Sequence, residues 1–341
     1  MKITVGKLQL KGIALGVALA LLSSAQLTVA AEKETLFQLD EKAYTATDLP
    51  LSVQQALYEA QLQYYQTRSA LVDEALVTME LEKRAKDSGK SVDEVAGELF
   101  KAEEVSDEEI NKFYEENKER IQQPLEAIKA QVKQFLEQNS QAEKQNAFLA
   151  ELKEGSVFQL GFEQPQAPFA DIDISGFPFK GAADAKAVLV EFADFQCPHC
   201  KRADDVLKKV LEQFKDDLKI VYLDFPINRS GVSRKIAEGA ACAGKQDKYW
   251  EYHDLAFSDQ RALNDAAMVG LAEKLELDMD EFNKCIESDY PEEQVNRGQK
   301  EGQRLGVDST PTLFLNGRRL HLQDLEKDLP EEIKKVLEAA K

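Results

Sequence analysis

The chain has 341 residues, which at roughly 100–200 residues per domain suggests two domains. Its 43 basic and 62 acidic residues leave a net charge of -19, and 43% of it is hydrophobic. That balance supplies core material and argues against a nucleic-acid binder, which needs a basic face, and against charge docking on anionic lipid.

The first segment stands apart. Lys2, Lys7 and Lys11 precede an uncharged apolar run, Gly12 to Leu22, and then small residues at Ser23, Ala25, Ala30 and Ala31. This is the layout of a secretory signal peptide over residues 1–31, with cleavage expected after Ala30 or Ala31. The apolar run is short for a membrane span; the alternative is an uncleaved N-terminal anchor.

Residues 32–155 are rich in Ala, Glu, Lys, Gln and Leu, with two prolines and three glycines. Apolar residues recur at helical spacing, as in Val53, Leu57, Leu62, Tyr65, Leu71, Leu76 and Met79, and again in Val132, Phe135, Leu136, Phe148, Leu149 and Leu152. Asp48-Leu49-Pro50 reads as a cap with a first-turn proline, and Ser106 with Glu109 as a capping box. The expectation is an all-α domain of four to six helices without a sheet. Residues 156–186 carry Pro165, Pro168, Pro178, Gly161, Gly176 and Gly181 and read as a linker ending in an edge strand near Ile172 to Ile174.

From residue 187 the pattern is α/β. Ala187 to Phe192 is a buried strand, 198–215 a helix, and Lys219 to Phe225 a second strand, together a βαβ unit. Residues 231–305 return to helical rhythm. Thr312 to Leu315, Asn316-Gly317 and Arg318 to Leu322 form a hairpin with a type I′ turn, and 324–341 a last helix capped by Asp324.

The chemical centre is Phe195-Gln196-Cys197-Pro198-His199-Cys200-Lys201, which follows a strand and opens a helix. That context favours a redox dithiol over a zinc knuckle or an inert bridge, because a structural zinc site needs four ligands and the remaining cysteines lie 42 and 85 residues beyond Cys200. No metal is expected, and no cofactor besides the cysteine pair itself. Thiolate is the nucleophile. Cys197 at the helix N-cap would meet unpaired N–H groups and the positive dipole end, and Pro198 suits the first helical position. Cys200, one turn on, would resolve a mixed disulfide. Lowering a thiol from about 8.5 to roughly 3.5–7.5 takes about 1.4–7 kcal/mol, whereas the dipole supplies about 2 at most. Backbone N–H groups must contribute, and His199 is expected to add a donor or a cation. Glu191, an acid inside an apolar strand, is the candidate proton shuttle to Cys200, with Asp194 competing for that role.

With the segments Glu191-Phe192-Ala193-Asp194-Phe195-Gln196-Cys197-Pro198-His199-Cys200 and Gly306-Val307-Asp308-Ser309-Thr310-Pro311-Thr312, followed by Asn316-Gly317, the second half resembles the DsbA-like branch of the thioredoxin superfamily. It departs from relatives at Asp308-Ser309, where a Gly often precedes the Thr. The resemblance implies a thioredoxin fold over residues 187–341 with a helical insertion at about 231–305, and thiol–disulfide exchange. It implies a cis-proline at Pro311 that, with Thr310, receives an extended client strand, and a structural disulfide between Cys242 and Cys285. The segment Val105 to Ile110 with Phe113 to Lys118 gives residues 32–155 a resemblance to the helical part of SurA-like periplasmic chaperones, implying client binding or dimerisation. The expectation from both is a periplasmic oxidoreductase acting on folding exported proteins, with a membrane redox partner and no nucleic acid. The alternatives are a dimeric isomerase or reductase joined through the N-terminal helices, and a chaperone-like binding protein with incidental redox activity.

Overall fold

The computed structural model describes residues 34–118, 121, 123–155 and 158–339, so the expected signal peptide lies outside the described residues. The chain divides into two units, residues 1–45 and 46–341.

In the first unit, β1 (Thr35–Leu39) pairs antiparallel with β2 (Lys42–Thr45). This hairpin corrects the expectation of a sheet-free N-terminal half. Its strands are four and five residues long, too short for a clear alternation. The chain reverses through Asp40, whose φ of +53° suits the tolerance of Asp for left-handed backbone.

The second unit begins with four helices, α1 (Leu51–Ser88), α2 (Val92–Leu99), α3 (Asp107–Asn117) and α4 (Leu125–Glu154). Ser106 and Glu109 make the capping box of α3, and Ser91 with Glu94 makes a second one on α2. Pro50 occupies the N-cap position of α1, not the first helical position expected of it. Leu81, Ala85, Val95, Phe100 and Phe148 form one small core, and Ile110, Ile128 and Val132 another. Not every apolar residue of the α1 rhythm is covered: Leu62 is buried, whereas Val53, Leu71 and Met79 are exposed.

The remaining chain is built on a five-stranded sheet of order β3-β5-β4-β6-β7. The strands are β3 (Phe179–Gly181), β4 (Ala187–Ala193), β5 (Leu218–Asp224), β6 (Thr312–Leu315) and β7 (Arg318–Arg319). β4 and β5 run parallel, and the other neighbours antiparallel. The edge strand lies at 179–181 and not at 172–174. There, Asp173 accepts hydrogen bonds from the N–H and hydroxyl of Ser175, turning the chain, while Ile172 and Ile174 pack without a ladder. Asn316 and Gly317 both have positive φ (45° and 77°), as a type I′ turn requires. The strand after it is two residues long, and Leu320 and Leu322 beyond it pack into the core beneath the last helix.

Helix α5 (Pro198–Phe214) connects β4 to β5, and α11 (Leu325–Ala339) closes the fold with Asp324 accepting from the N–H groups of Glu326 and Lys327. Between β5 and β6 lie α6 (Val232–Gly244), α7 (Tyr249–Ser258), α8 (Ala267–Lys274), α9 (Met279–Ile286) and α10 (Tyr290–Arg304). Strand alternation distributes β4 between two cores. Val190 and Phe192 join Val221, Leu223 and Phe314; Ala187 and Leu189 face Leu207 and Val210 of α5 and Leu329 and Ile333 of α11. Glu191 belongs by the same period to the α5 side.

Candidate active site

Cys197 is the N-cap of α5, with φ −79° and ψ 117°, and Pro198 fills the first helical position. The Cys197 Sγ accepts from the Cys200 N–H at 3.4 Å. The loop before it is fixed from two sides. The Cys197 N–H donates to the Asp194 carbonyl at 3.0 Å. From the helical insertion, the Gln260 amide donates to the carbonyls of Phe195 and Cys197, each at 2.9 Å. Sequence reasoning missed Gln260; it stands sixty residues downstream in an unremarkable polar turn, and no local pattern marks it.

The two sulfurs are unequal. Cys197 is half-buried, Cys200 fully buried, and both are thiols. The Cys197 thiol is lowered to about 5, chiefly by its hydrogen bond with Cys200, against the opposing effect of burial, with further help from Thr310 and from the backbone N–H groups of Cys200 and His199. Burial holds the Cys200 thiol far up, reinforced by its hydrogen bond with Cys197 and the nearby Glu191. Nucleophile and buried partner thus follow from one turn of helix geometry.

His199 is exposed, and its ring nitrogen Nδ1 lies 2.5 Å from Nη2 of Arg202 on the same helix. Only its backbone N–H reaches toward the Cys197 sulfur. The ring is not placed as the donor or cation expected of it.

Thr310–Pro311 is a cis peptide, and the Thr310 carbonyl receives the Cys197 S–H at 3.2 Å. Once Cys197 ionises, that contact loses its proton. The Thr310 hydroxyl is buried without a hydrogen-bond partner. The Thr312 hydroxyl donates to the Ser309 carbonyl at 2.8 Å and pins the loop.

The two acids of β4 and its end part ways. Asp194 is buried and saturated: Oδ1 accepts from the Gln196 N–H and the Ser233 hydroxyl, Oδ2 from the N–H groups of Ile227 and Asn228, all within 3.0 Å. It braces the motif loop against the segment after β5, and its lone pairs are committed. Glu191 is only 3% exposed, and burial, with Asp204 and Cys197 nearby, raises its carboxyl to about 8. It lines a cavity of about 20 Å³ with Lys180, Asp204, Lys208, Tyr222, Trp250 and His253, roomy enough for about one water.

Asp204, His253 and Asp254 bring ligand atoms within 4.8 Å of one another. Lys208 pairs with both carboxylates at 2.7 and 3.2 Å, and Lys180 reaches Asp254 at 3.4 Å, so their charge is met by lysines. Away from the motif, Cys242 of α6 and Cys285 of α9 form a disulfide with Cα atoms 5.7 Å apart.

Residues 176–339 match the family model described as thioredoxin. Among curated proteins the chain is 32% identical over 143 residues to a Na(+)/H(+) antiporter NhaA of Salinispora arenicola and 33% identical over 142 residues to one of Herminiimonas arsenicoxydans, covering 42% and 41% of this chain. It spans about 22% of the length of these relatives. No helix among the described residues is long and apolar enough to cross a membrane. Among solved structures, the thiol-disulfide exchange protein α-DsbA2 of Wolbachia pipientis is similar at 24% identity and a TM-score of 0.43 (48% of this chain, 88% of that one). BdbD of Bacillus subtilis is similar at 22% and 0.44 (51% and 99%) and the catalytic domain of Proteus mirabilis ScsC at 25% and 0.42 (48% and 89%). From Gly176 to Ala339 the chain matches the thioredoxin family model and has a thioredoxin-like α/β fold, with helices α6 to α10 inserted between β5 and β6.

Proposed function

We propose that the protein is a thiol–disulfide oxidoreductase that exchanges disulfides with exported, folding proteins through Cys197 and Cys200. The observation that carries the reading is the N-capping thiol of Cys197, lowered to about 5 and facing a cis-proline loop, above a buried Cys200. In the oxidised form, a client thiolate attacks the Cys197 sulfur and the bond to Cys200 breaks. Cys200 departs as a thiolate and takes a proton from Glu191; that role is supported by the Glu191 carboxyl being raised to about 8 and so protonated at neutral pH. The client's second thiolate then attacks its own sulfur in the mixed disulfide and releases Cys197 as thiolate. The client loses two electrons and the enzyme pair gains them. A redox partner at the membrane would reverse that change.

Thiolate stabilisation favours the reduced enzyme and so makes its disulfide the stronger oxidant. The low Cys197 therefore supports net oxidation over isomerisation. Export through residues 1–31 to the periplasm completes the proposal; it is supported by the signal-peptide layout and by the Cys242–Cys285 disulfide, a feature of oxidising compartments. The deciding experiment is equilibration of the pair with glutathione buffers, run beside Cys197→Ala. A potential near about -120 mV and loss of exchange in the variant support a disulfide donor; a potential near about -200 mV or below points to an isomerase or reductase, and retained turnover in the variant refutes the mechanism.

A further inference from the structure

The first turns of α1 lie against the loop that carries the cis-proline. Leu51 packs in the same core as Leu305 and Val307. A Cβ on Gly306 would stand 3.3 Å from the Ser52 backbone. Tyr58 meets the His321 ring at 5.5 Å between centroids. Between these contacts sits Arg319 of β7, with a side chain 9% exposed. Its Nη1 donates to Oε1 of Glu59 at 2.9 Å and to the Gly306 carbonyl at 3.3 Å; its Nη2 donates to Oδ1 of Asp308 at 3.3 Å. The Ser309 hydroxyl donates to the same Asp308 oxygen at 3.2 Å, and the next residue, Thr310, touches the Cys197 sulfur.

We propose that Glu59 and Arg319 are positioning residues for the Gly306–Pro311 loop, so that the seating of the helical arm on β7 sets how well that loop receives a client strand. The inference rests on the oxidoreductase reading of the site. Its physical basis is that a guanidinium taken out of water must be met by charge and hydrogen bonds, and that its rigid fork can brace several acceptors at once. Asp308 is 77% exposed on its side chain and Glu59 38%, so Glu59 is the more sheltered counter-charge. Without it, Arg319 retains the Gly306 carbonyl and a single, solvent-screened counter-charge, Asp308. It then swings toward water or draws Asp308 with it, and either motion moves the loop next to Thr310. The arm is thereby part of client recognition while touching neither cysteine.

The test is steady-state oxidation of a dithiol peptide, with oxidised glutathione as the terminal oxidant that re-forms the Cys197–Cys200 disulfide, by full-length wild type, Glu59→Gln, Glu59→Asp, Arg319→Gln and the Glu59→Gln/Arg319→Gln double variant. Glu59→Gln is expected to raise KM about five-fold with kcat within about two-fold, the scale of one sheltered ion pair. Glu59→Asp should recover most of that loss, and the double variant should be no worse than Arg319→Gln alone, as members of one network are. Hydrogen exchange supplies a readout independent of turnover: amides 307–312 should exchange faster in Glu59→Gln, and those of α6 should not. Unchanged KM and unchanged exchange at 307–312 in Glu59→Gln, or fully additive effects in the double variant, overturn the proposal and leave the oxidoreductase reading standing. A wild type unable to oxidise the peptide overturns both.

Discussion

The depressed thiol of Cys197 ties reactivity and stability to the same titration. In the reduced protein the sulfur ionises near pH 5, against about 8.5 for a thiol in an unfolded chain. A group with a lowered folded-state value contributes stability that is complete above the unfolded value and is lost as pH falls through the folded one. At pH 7 two units of that interval are in play, about 2.7 kcal/mol at 1.36 per unit, or about 2 kcal/mol once the half-exposed sulfur is discounted for solvent screening. The oxidised protein has no thiolate there and gains none of it. The reduced form should therefore melt about 4–8 °C above the value it would have with an ordinary thiol, on the scale of about 2–4 °C per kcal/mol for a domain of this size. The gap between reduced and oxidised melting temperatures should shrink steadily between pH 7 and pH 4. Iodoacetamide alkylation of the reduced wild-type protein, in which the buried Cys200 thiol stays protonated, measures the same ionisation directly, with a half-maximal rate expected near pH 5. An alkylation midpoint above pH 7, or a melting gap that does not narrow on acidification, refutes the reasoning.

Three further outcomes follow from other sites. Glu191 has a raised value, so its sign is opposite: the cost of burying it is absent below about pH 4 and grows up to about pH 8, and Glu191→Gln should stabilise the protein by about 3 kcal/mol at pH 7 and not at pH 4 while slowing exchange about ten-fold or more. Replacing Cys242 and Cys285 by Ala opens a link between residues 43 apart and should cost about 3–4 kcal/mol in denaturant melts with the Cys197 alkylation midpoint unmoved. Gly298→Ala would set a Cβ 2.5 Å from the Asp224 carbonyl where α10 crosses β5, and should lower stability by about 1–3 kcal/mol in the same melts.

What could be read from the sequence divides along physical lines. The βαβ unit, the type I′ turn at Asn316-Gly317 and the last helix are carried by local signals: apolar runs, paired positive-φ residues, a capping Asp. The position of Glu191 beneath α5 also follows from local pattern, because period-two alternation puts it on the face of Leu189. The hairpin at 35–45 and the displaced edge strand were hidden because each is only a few residues long, and the Asp173–Ser175 turn overrides the extended preference of Ile172 and Ile174. The fates of Asp194 and Gln260 depend on partners in the insertion and in the segment after β5, tens of residues away. Such long-range pairing leaves no periodic trace. The same holds for Arg319, whose neighbour Glu59 lies 260 positions earlier.

His199 shows where local chemistry and local geometry diverge. A histidine between the cysteines invites the assignment of an imidazole beside the thiolate. On a helix, however, side chains of the first turn point outward and back, while the unpaired N–H groups of that turn point toward the N-cap atom. The Cys197 sulfur is that cap, so it collects backbone donors at Cys200 and His199, and the ring turns to Arg202. His199→Ala keeps the amide and removes only the ring. It should therefore shift the Cys197 alkylation midpoint by less than about half a unit, within what the helix dipole and cap leave to an exposed neighbour. A shift of two units would show that the imidazole itself holds the thiolate, and that the exposed orientation of His199 is not the one the reactive enzyme uses.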